Sequence, residues 1–331
     1  MEKNNKQNKS VTIANIVSIV GLVLLLVFTY IGNSYMSGGE IGVDLFFSII
    51  ITAFAAFLLW LMIKAKGAEN RVKMWKKVEY GTLGLYVLLA IPVSLFGGIN
   101  HFFAVNGNKE QIKTYAQNDL QKISRMFETY EDFERTALNA TIAGLENAIA
   151  LNQVRDESLN EFMEENKISP TQEGVESFTK IQNSNLLGDG YKEQKDFYLK
   201  KISEIEESVN SWSMMTVPLK AKEIEEVAQK AGEELTKRSE NAKLPNIGSD
   251  MFGRHTLTGE NQSREYTVEG GIQGLEFRKA LRQAEGFSPM AVVLVLLIHV
   301  LILFNYIMAY RTDKTDIGGG LLAPDGGYIL G

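Results

Sequence analysis

The sequence predicts an all-α membrane protein: four transmembrane helices, three plus one, with a large extracytoplasmic helical-bundle or coiled-coil domain inserted between the third and fourth, plus a small β-hairpin. Three observations carry this expectation. Four apolar runs, Val11–Ile31, Val43–Ile63, Tyr80–Ile99 and Met290–Tyr310, hold 20 or 21 residues each, the length an α-helix needs to cross a hydrocarbon core of about 30 Å. The segment 100–286 between the third and fourth runs is polar and belongs in water. Within it, apolar residues recur with a period of about 3.5, the mark of long helices packed side by side.

Residues 1–10 form a basic tail with Lys3, Lys6 and Lys9, and residues 11–99 a three-helix anchor. The first run reads as an uncleaved signal anchor, because it exceeds the roughly 7–15 residues of a cleaved apolar region and no A-x-A site follows. In the second run Ser48, Thr52 and Ala56 fall four apart, a small-residue face that lets the first or third helix approach closely. Loop 64–79 carries Lys64, Lys66, Arg71, Lys73, Lys76 and Lys77, whereas the loop Gly32–Gly42 has no cation. Cations concentrate on the cytoplasmic side. The N-terminus and loop 64–79 are therefore expected inside and the insert outside, although Arg278, Lys279 and Arg282 dissent just before the fourth run. The loop cations also suit anionic lipid headgroups, but fixing topology explains them without that. Pro92, Ser94 and Gly97-Gly98 predict a bend near the outer end of the third helix.

The insert opens with Ile112, Ala116, Leu120, Ile123, Phe127, Tyr130, Phe133, Ala137, Thr141, Leu145 and Ala148, which predict a long helix near 108–152. A second is expected near 192–237, from Leu199, Ile202, Ile205, Val209, Trp212, Met215, Leu219, Ile224, Val227, Ala231 and Leu235, with Pro218 kinking or splitting it. Shorter helices are expected at Glu157–Asn166 and Thr171–Leu187. Pro245-Asn246-Ile247-Gly248 reads as a breaker, and the segments 255–258 and 264–268 flank a Gly-Glu-Asn-Gln turn, predicting a β-hairpin over 255–268. A short helix, Leu275–Glu285, then leads to the fourth span within 287–311. A glycine-rich tail, 312–331, is expected to be loose and cytoplasmic.

Charge and composition narrow the chemistry. Segment 100–286 holds 23 Lys/Arg against 32 Asp/Glu, and the remainder 11 against 8. An acidic domain repels phosphate backbones, so no nucleic-acid partner is expected. The chain has no cysteine, which removes thiolate nucleophiles and cysteine metal sites. His101, His255 and His299 fall in separate segments. Paired carboxylates such as Glu131-Asp132 and Glu233-Glu234 lie on expected solvated faces, and no hydrolase, zinc-protease, Walker or dinucleotide motif occurs. No enzyme activity, catalytic residue, metal or cofactor is expected.

Two polar residues stand out in the fourth run, His299 and Asn305. An ionisable group in mid-membrane is a functional candidate. The bland alternative is a neutral imidazole bonded to Ser94, Thr52 or Tyr86 that holds the fourth helix to the others. The third and fourth helices framing a helical bundle resemble the sensory half of a bacterial chemoreceptor. That resemblance implies signalling through the fourth helix, and the short tail implies an output handed to another membrane protein. The reading that takes in most of these features is a non-enzymatic scaffold of a bacterial envelope complex of secretion, conjugation or defence type, in the inner membrane with both termini cytoplasmic. Its expected partners are other envelope proteins, the lipid bilayer and further copies of itself. The alternative is a sensor whose ectodomain binds a ligand and signals through the fourth helix. An oligomeric pore is a third class.

Overall fold

The computed structural model describes residues 2–68, 73–150, 157–241, 247–249, 255–257, 266 and 274–309. Two compact units divide the chain: Met1–Tyr115, Trp212–Lys222 and Glu276–Gly331 form one, and Ala116–Ser211 with Glu223–Leu275 the other.

In the first unit, α1 (Glu2–Ser37) and α2 (Ile41–Ala68) are joined by a three-residue turn. A bent helix follows: α3 (Lys73–Leu85), a π-turn Tyr86–Ala90, α4 (Ile91–Ser94), a second π-turn Leu95–Ile99, and α5 (Asn100–Gly107). Pro92 has no N–H to give the carbonyl one turn back, and widened turns on both sides absorb the loss. The bend falls at Gly97 (φ −80°, ψ 27°) and Gly98 (φ 140°, ψ −43°), a backbone only glycine adopts freely. Four stretches are long and apolar enough to cross a membrane: Ile13–Ser37, Ile41–Gly67, Met74–Gly107 and, in the last described helix, Pro289–Met308.

Leu25, Leu58, Leu59, Met62, Tyr86, Ile99, Val295, Ile298 and Ile302 form the core of this unit. Its exterior is equally apolar, with Ile16, Val23, Phe46, Phe47, Leu88, Phe96, Leu297 and Val300 exposed. So much contiguous apolar surface is a liability in water and ordinary in lipid. Helix approach depends on small residues. A Cβ placed on Gly32 of α1 would lie 2.1 Å from the Gly98 carbonyl oxygen, and one on Gly21 would lie 2.8 Å from the Ile302 backbone nitrogen.

In the second unit, α6 (Lys109–Ala150, which starts in the first) packs its far half against α7 (Glu157–Glu165) and α8 (Gln172–Asn185) through Leu138, Leu145, Leu159, Met163, Val175 and Phe178. Thr171 caps α8 by accepting the Gly174 N–H at 3.2 Å. Nearer the start of α6, Phe127 and Tyr130 meet Tyr198 and Tyr191 of α9 (Tyr191–Ser211) at ring separations of 5.7 and 5.6 Å. Tyr191 donates to the Phe127 carbonyl at 3.1 Å, and burial, then the neighbouring Glu131 carboxylate, drives its pKa far above the ordinary value. Helix α10 (Val217–Asn241) completes the set, with Pro218 in its first turn. The expected helix near 192–237 is thus two helices, separated at Trp212–Thr216.

The β-hairpin expected over 255–268 is not seen. Strand β2 (His255–Leu257) pairs antiparallel with β1 (Ile247–Ser249), in the register Ile247↔Leu257 and Ser249↔His255, inside what reads as a breaker. Residues 258–265 and 267–268 lie outside the described residues. Tyr266, the aromatic of the expected second strand, is committed elsewhere. It is buried against Tyr130 and Phe133, and its hydroxyl donates to the Met126 carbonyl at 2.7 Å. The helical core offers that ring more buried area than a three-residue ladder does. After α11 (Phe277–Arg282), α12 (Pro289–Met308) is the last described helix.

The glycine contacts separate two otherwise similar substitutions. Gly32→Ala forces a methyl into the Gly98 backbone and is expected to cost about 3 kcal/mol or prevent assembly. Gly42→Ala, whose Cβ meets nothing within 4 Å, should be neutral or slightly stabilising. Thermal unfolding of both variants of the full chain in nanodiscs checks the contrast.

Candidate functional site

The polar groups inside the first unit form three clusters. At mid-span, His299 of α12 lies 2.8 Å through Nδ1 from the Tyr86 hydroxyl and 3.1 Å through Nε2 from Ser94 Oγ. Ser94 Oγ donates its single proton to the Ala90 carbonyl at 2.7 Å. A lone pair of that oxygen therefore faces the imidazole, so Nε2 carries the hydrogen and Nδ1 accepts from Tyr86. The result is a directed chain, Tyr86 to His299 to Ser94 to Ala90, with a neutral ring. Tyr86 and Ala90 are the two ends of the first π-turn, so the chain fastens the irregular part of the third span to α12. The Tyr86 and His299 rings also meet edge to face at 5.3 Å.

Asn305 sits one to two turns on. Its backbone N–H donates to Ser18 Oγ of α1 at 3.0 Å, and Ser18 in turn donates to the Ile302 carbonyl at 2.8 Å. The Asn305 side-chain nitrogen is buried without a hydrogen-bond partner among the described residues. At the same end of the unit, the Lys66 ammonium donates to the Tyr306 carbonyl at 2.7 Å and lies 4.6 Å from its ring, while the Tyr306 hydroxyl donates to Glu79 at 2.6 Å. Lysine, aromatic ring and buried carboxylate thus tie α2, α3 and α12 together.

The third cluster is at the opposite end, around the α1–α2 turn. Glu40 pairs with Arg278 of α11 at 2.8 Å and with Lys222 of α10 at 3.3 Å. Ser37 Oγ accepts the N–H groups of Gly39 and Glu40, which holds the turn closed. The hydrogen bond from Lys222, with support from Arg278, keeps the Glu40 carboxyl below the usual carboxylate range despite an opposing push from burial. Asn100 fastens the approach to α12 by donating to the Gly286 carbonyl at 2.9 Å and accepting the Ser288 N–H at 3.0 Å.

The structure brings together only part of what the sequence singled out. His299 meets Tyr86 and Ser94, two of its three candidate partners. Asn305 lies in a different cluster. Ser48 is buried, donates to the Asp44 carbonyl at 2.6 Å and accepts from the Asn33 amide of α1 at 2.9 Å. Thr52 bonds back to Ser48 at 2.8 Å, and Ala56 is half-buried. Lys64 lies 5.6 Å from the Trp60 ring, and Lys76 and Lys77 are exposed. Arg71 lies outside the described residues, as does the side chain of Lys73. Sequence reasoning saw in Ser18 only a scattered polar residue of the first span, and missed Glu79 and Glu40. A lone carboxylate flanking a span was the available signal for the last two, since charge there needs a partner.

No family model, curated protein or solved structure matches the chain. What the geometry defines is an almost wholly helical protein with four helices long and apolar enough to cross a membrane, the pattern of a multi-pass membrane protein.

Two outcomes follow from these clusters. His299→Leu leaves the Tyr86 hydroxyl and Ser94 oxygen without the imidazole and is expected to cost about 1–2 kcal/mol of stability in nanodiscs. In a Tyr86→Phe background that cost should shrink, which a double-mutant cycle reads directly. Glu40 has a lowered pKa in the folded chain, so its contribution is present above the unfolded value and is lost as pH falls through the folded one. Glu40→Gln should therefore lower stability near neutrality by under about 1 kcal/mol, because the paired groups are partly exposed. The gap in Tm between variant and wild type should close on acidification below about pH 4.

Proposed function

We propose that this chain is a non-enzymatic assembly subunit of a bacterial cell-envelope complex. In this reading it sits in the inner membrane by four spans, with its helical domain outside and both termini and the 64–79 loop in the cytoplasm. The helical domain supplies docking faces for other envelope proteins. The observation that carries the reading is connectivity: the chain passes between its two compact units four times, after Tyr115, Ser211, Lys222 and Leu275. Repeated passage of the chain between the two units suits a part that sets spacing or passes force. Within the membrane unit, Glu40 pairs with Lys222 and Arg278. The polar side chains of the membrane unit bond helix to helix, as a structural foot requires. Exposed Ile181 on α8 and Phe197 on α9 offer apolar anchors for partners or further copies.

A second reading, a sensor, draws on an open cleft of 430 Å³ lined by Asn108, Gln111, Tyr115, Glu276, Lys279 and Gln283. These residues lie at the α5–α6 junction, on α6 and in and around α11, just ahead of α12, where a bound polar ligand would bias the fourth span.

Purification of the tagged full chain from native membranes separates the readings. The scaffold predicts envelope proteins recovered in fixed ratio, and loss of that complex in cells lacking the chain. An intact complex from such cells refutes it. A ligand-dependent rise in Tm abolished by Lys279→Ala, with no stoichiometric partner, favours the sensor.

A further inference from the structure

We infer that the break between α9 and α10 is a lipid-contacting element, with Met214, Met215 and Leu219 entering the interfacial layer of the bilayer beside the α1–α2 turn. The inference rests on the four spans lying in lipid and is independent of the scaffold reading.

Depth is fixed by two neighbours of the segment. The Gly38–Glu40 turn joins two spans with only three residues, so it lies at a membrane surface. Pro218 and Leu219 rest on it: a Cβ on Gly39 would be 2.6 Å from the Pro218 carbonyl oxygen and 3.3 Å from Leu219 Cα. The second neighbour is Asn106, in the last turn of the third span, whose Oδ1 accepts the Trp212 indole N–H at 3.1 Å. A segment bonded to Asn106 and packed on the turn shares their level.

The backbone is bent to present this tip. Trp212 has φ 51°, a left-handed conformation that costs a bulky residue and persists only when the surroundings enforce it. Here the indole is held by Asn106, with the Lys109 and Lys113 ammonium groups 5.8 and 5.9 Å from its ring. The chain then turns sharply, and Ser213 O accepts the N–H groups of Thr216 and Val217, each at 3.0 Å. The outcome is two consecutive methionines that are 48% and 58% exposed, with Leu219 exposed behind them.

In water that exposure has no compensation. Beside the membrane it continues an apolar rim already present: Met36, Ile41 and Val43 flank the turn, Phe287 precedes α12 and Met290 lies in its first turn, all exposed. Methionine is unbranched and polarisable, and conforms to a disordered acyl boundary. Lys109, Lys113 and Lys222 stand where lipid phosphates lie. A lipid surface therefore suits both the apolar tip and its cationic border.

The cysteine-free chain allows a direct test. Single-cysteine variants Met215→Cys, Ile41→Cys and Lys200→Cys, spin-labelled in full-length protein in phosphatidylcholine–phosphatidylglycerol nanodiscs, report collision with oxygen, which concentrates in lipid, and with an aqueous nickel chelate. Lys200 is the water reference, its side chain being 77% exposed. The label at 215 should follow that at 41, with loss of nickel access and gain of oxygen access relative to 200. A label at 215 that follows 200 while 41 stays in lipid overturns the inference alone. Water access at both 215 and 41 overturns the membrane assignment as well. Shielding at 215 from both reagents, with dipolar broadening between labels, assigns the tip to a second copy and also overturns the lipid contact.

Discussion

A helix crossing lipid cannot leave backbone groups unpaired, and the third span violates regular geometry over Tyr86–Ile99. The rest of the membrane unit is arranged so that this irregular stretch can exist. Two π-turns re-pair the carbonyls that Pro92 cannot serve, and Asn100 N–H returns to Leu95 O. Gly98 turns into a left-handed conformation against Thr29 and Asn33, while Gly32 lets its carbonyl approach the α1 backbone. Irregular backbone at membrane depth survives only where protein covers it, and here α1 covers one side and α12 the other.

The His299 chain belongs to the same arrangement. A hydroxyl at each end of the imidazole leaves no free lone pair or proton on the ring, so the bonds it makes are positional. In lipid such bonds contribute modestly each. Their value lies in selecting one rotation of α12 about its axis, since Tyr86, Ser94 and Ser18 are all satisfied only in that register. An apolar α12 packed on small residues alone would leave rotation weakly specified, because one leucine face resembles another.

How much was legible in the sequence depended on the range of the interaction. The apolar runs and the 3.5-residue recurrence are local. The eleven apolar positions from Ile112 to Ala148 fall within α6, and all except Phe133 are buried. Pro218 likewise acts locally, at the start of α10. The same periodic reading ran Met215 and Leu219 into one helical stripe with the buried positions, although both are exposed, because the 3.5 register continues through the break while the helix does not. Trp212 reverses the backbone there, and the side chain that enforces the reversal, Asn106, lies more than a hundred residues earlier. The Gly32–Gly98 contact and the docking of Tyr266 are hidden for the same reason, and with them the pairing of β2 with β1. Small residues and a lone tyrosine have many readings until a partner from elsewhere in the chain selects one.

Local electrostatics also accounts for a charge that conflicts with the topology. On the proposed orientation, Arg278 flanks the fourth span on the translocated side, where cations are disfavoured. Its partner is Glu40, the carboxylate of a turn that has no cation of its own, and Lys222 shares that acceptor. One anion held by the backbone of a short turn thus joins α10 and α11 to the α1–α2 turn. The arrangement is favourable because Glu40 is fixed before its partners arrive: Ser37 closes the turn, so little side-chain entropy remains to be lost on pairing. A cation in place of Glu40 would repel both segments, which gives the absence of Lys and Arg from Gly32–Gly42 a structural reason.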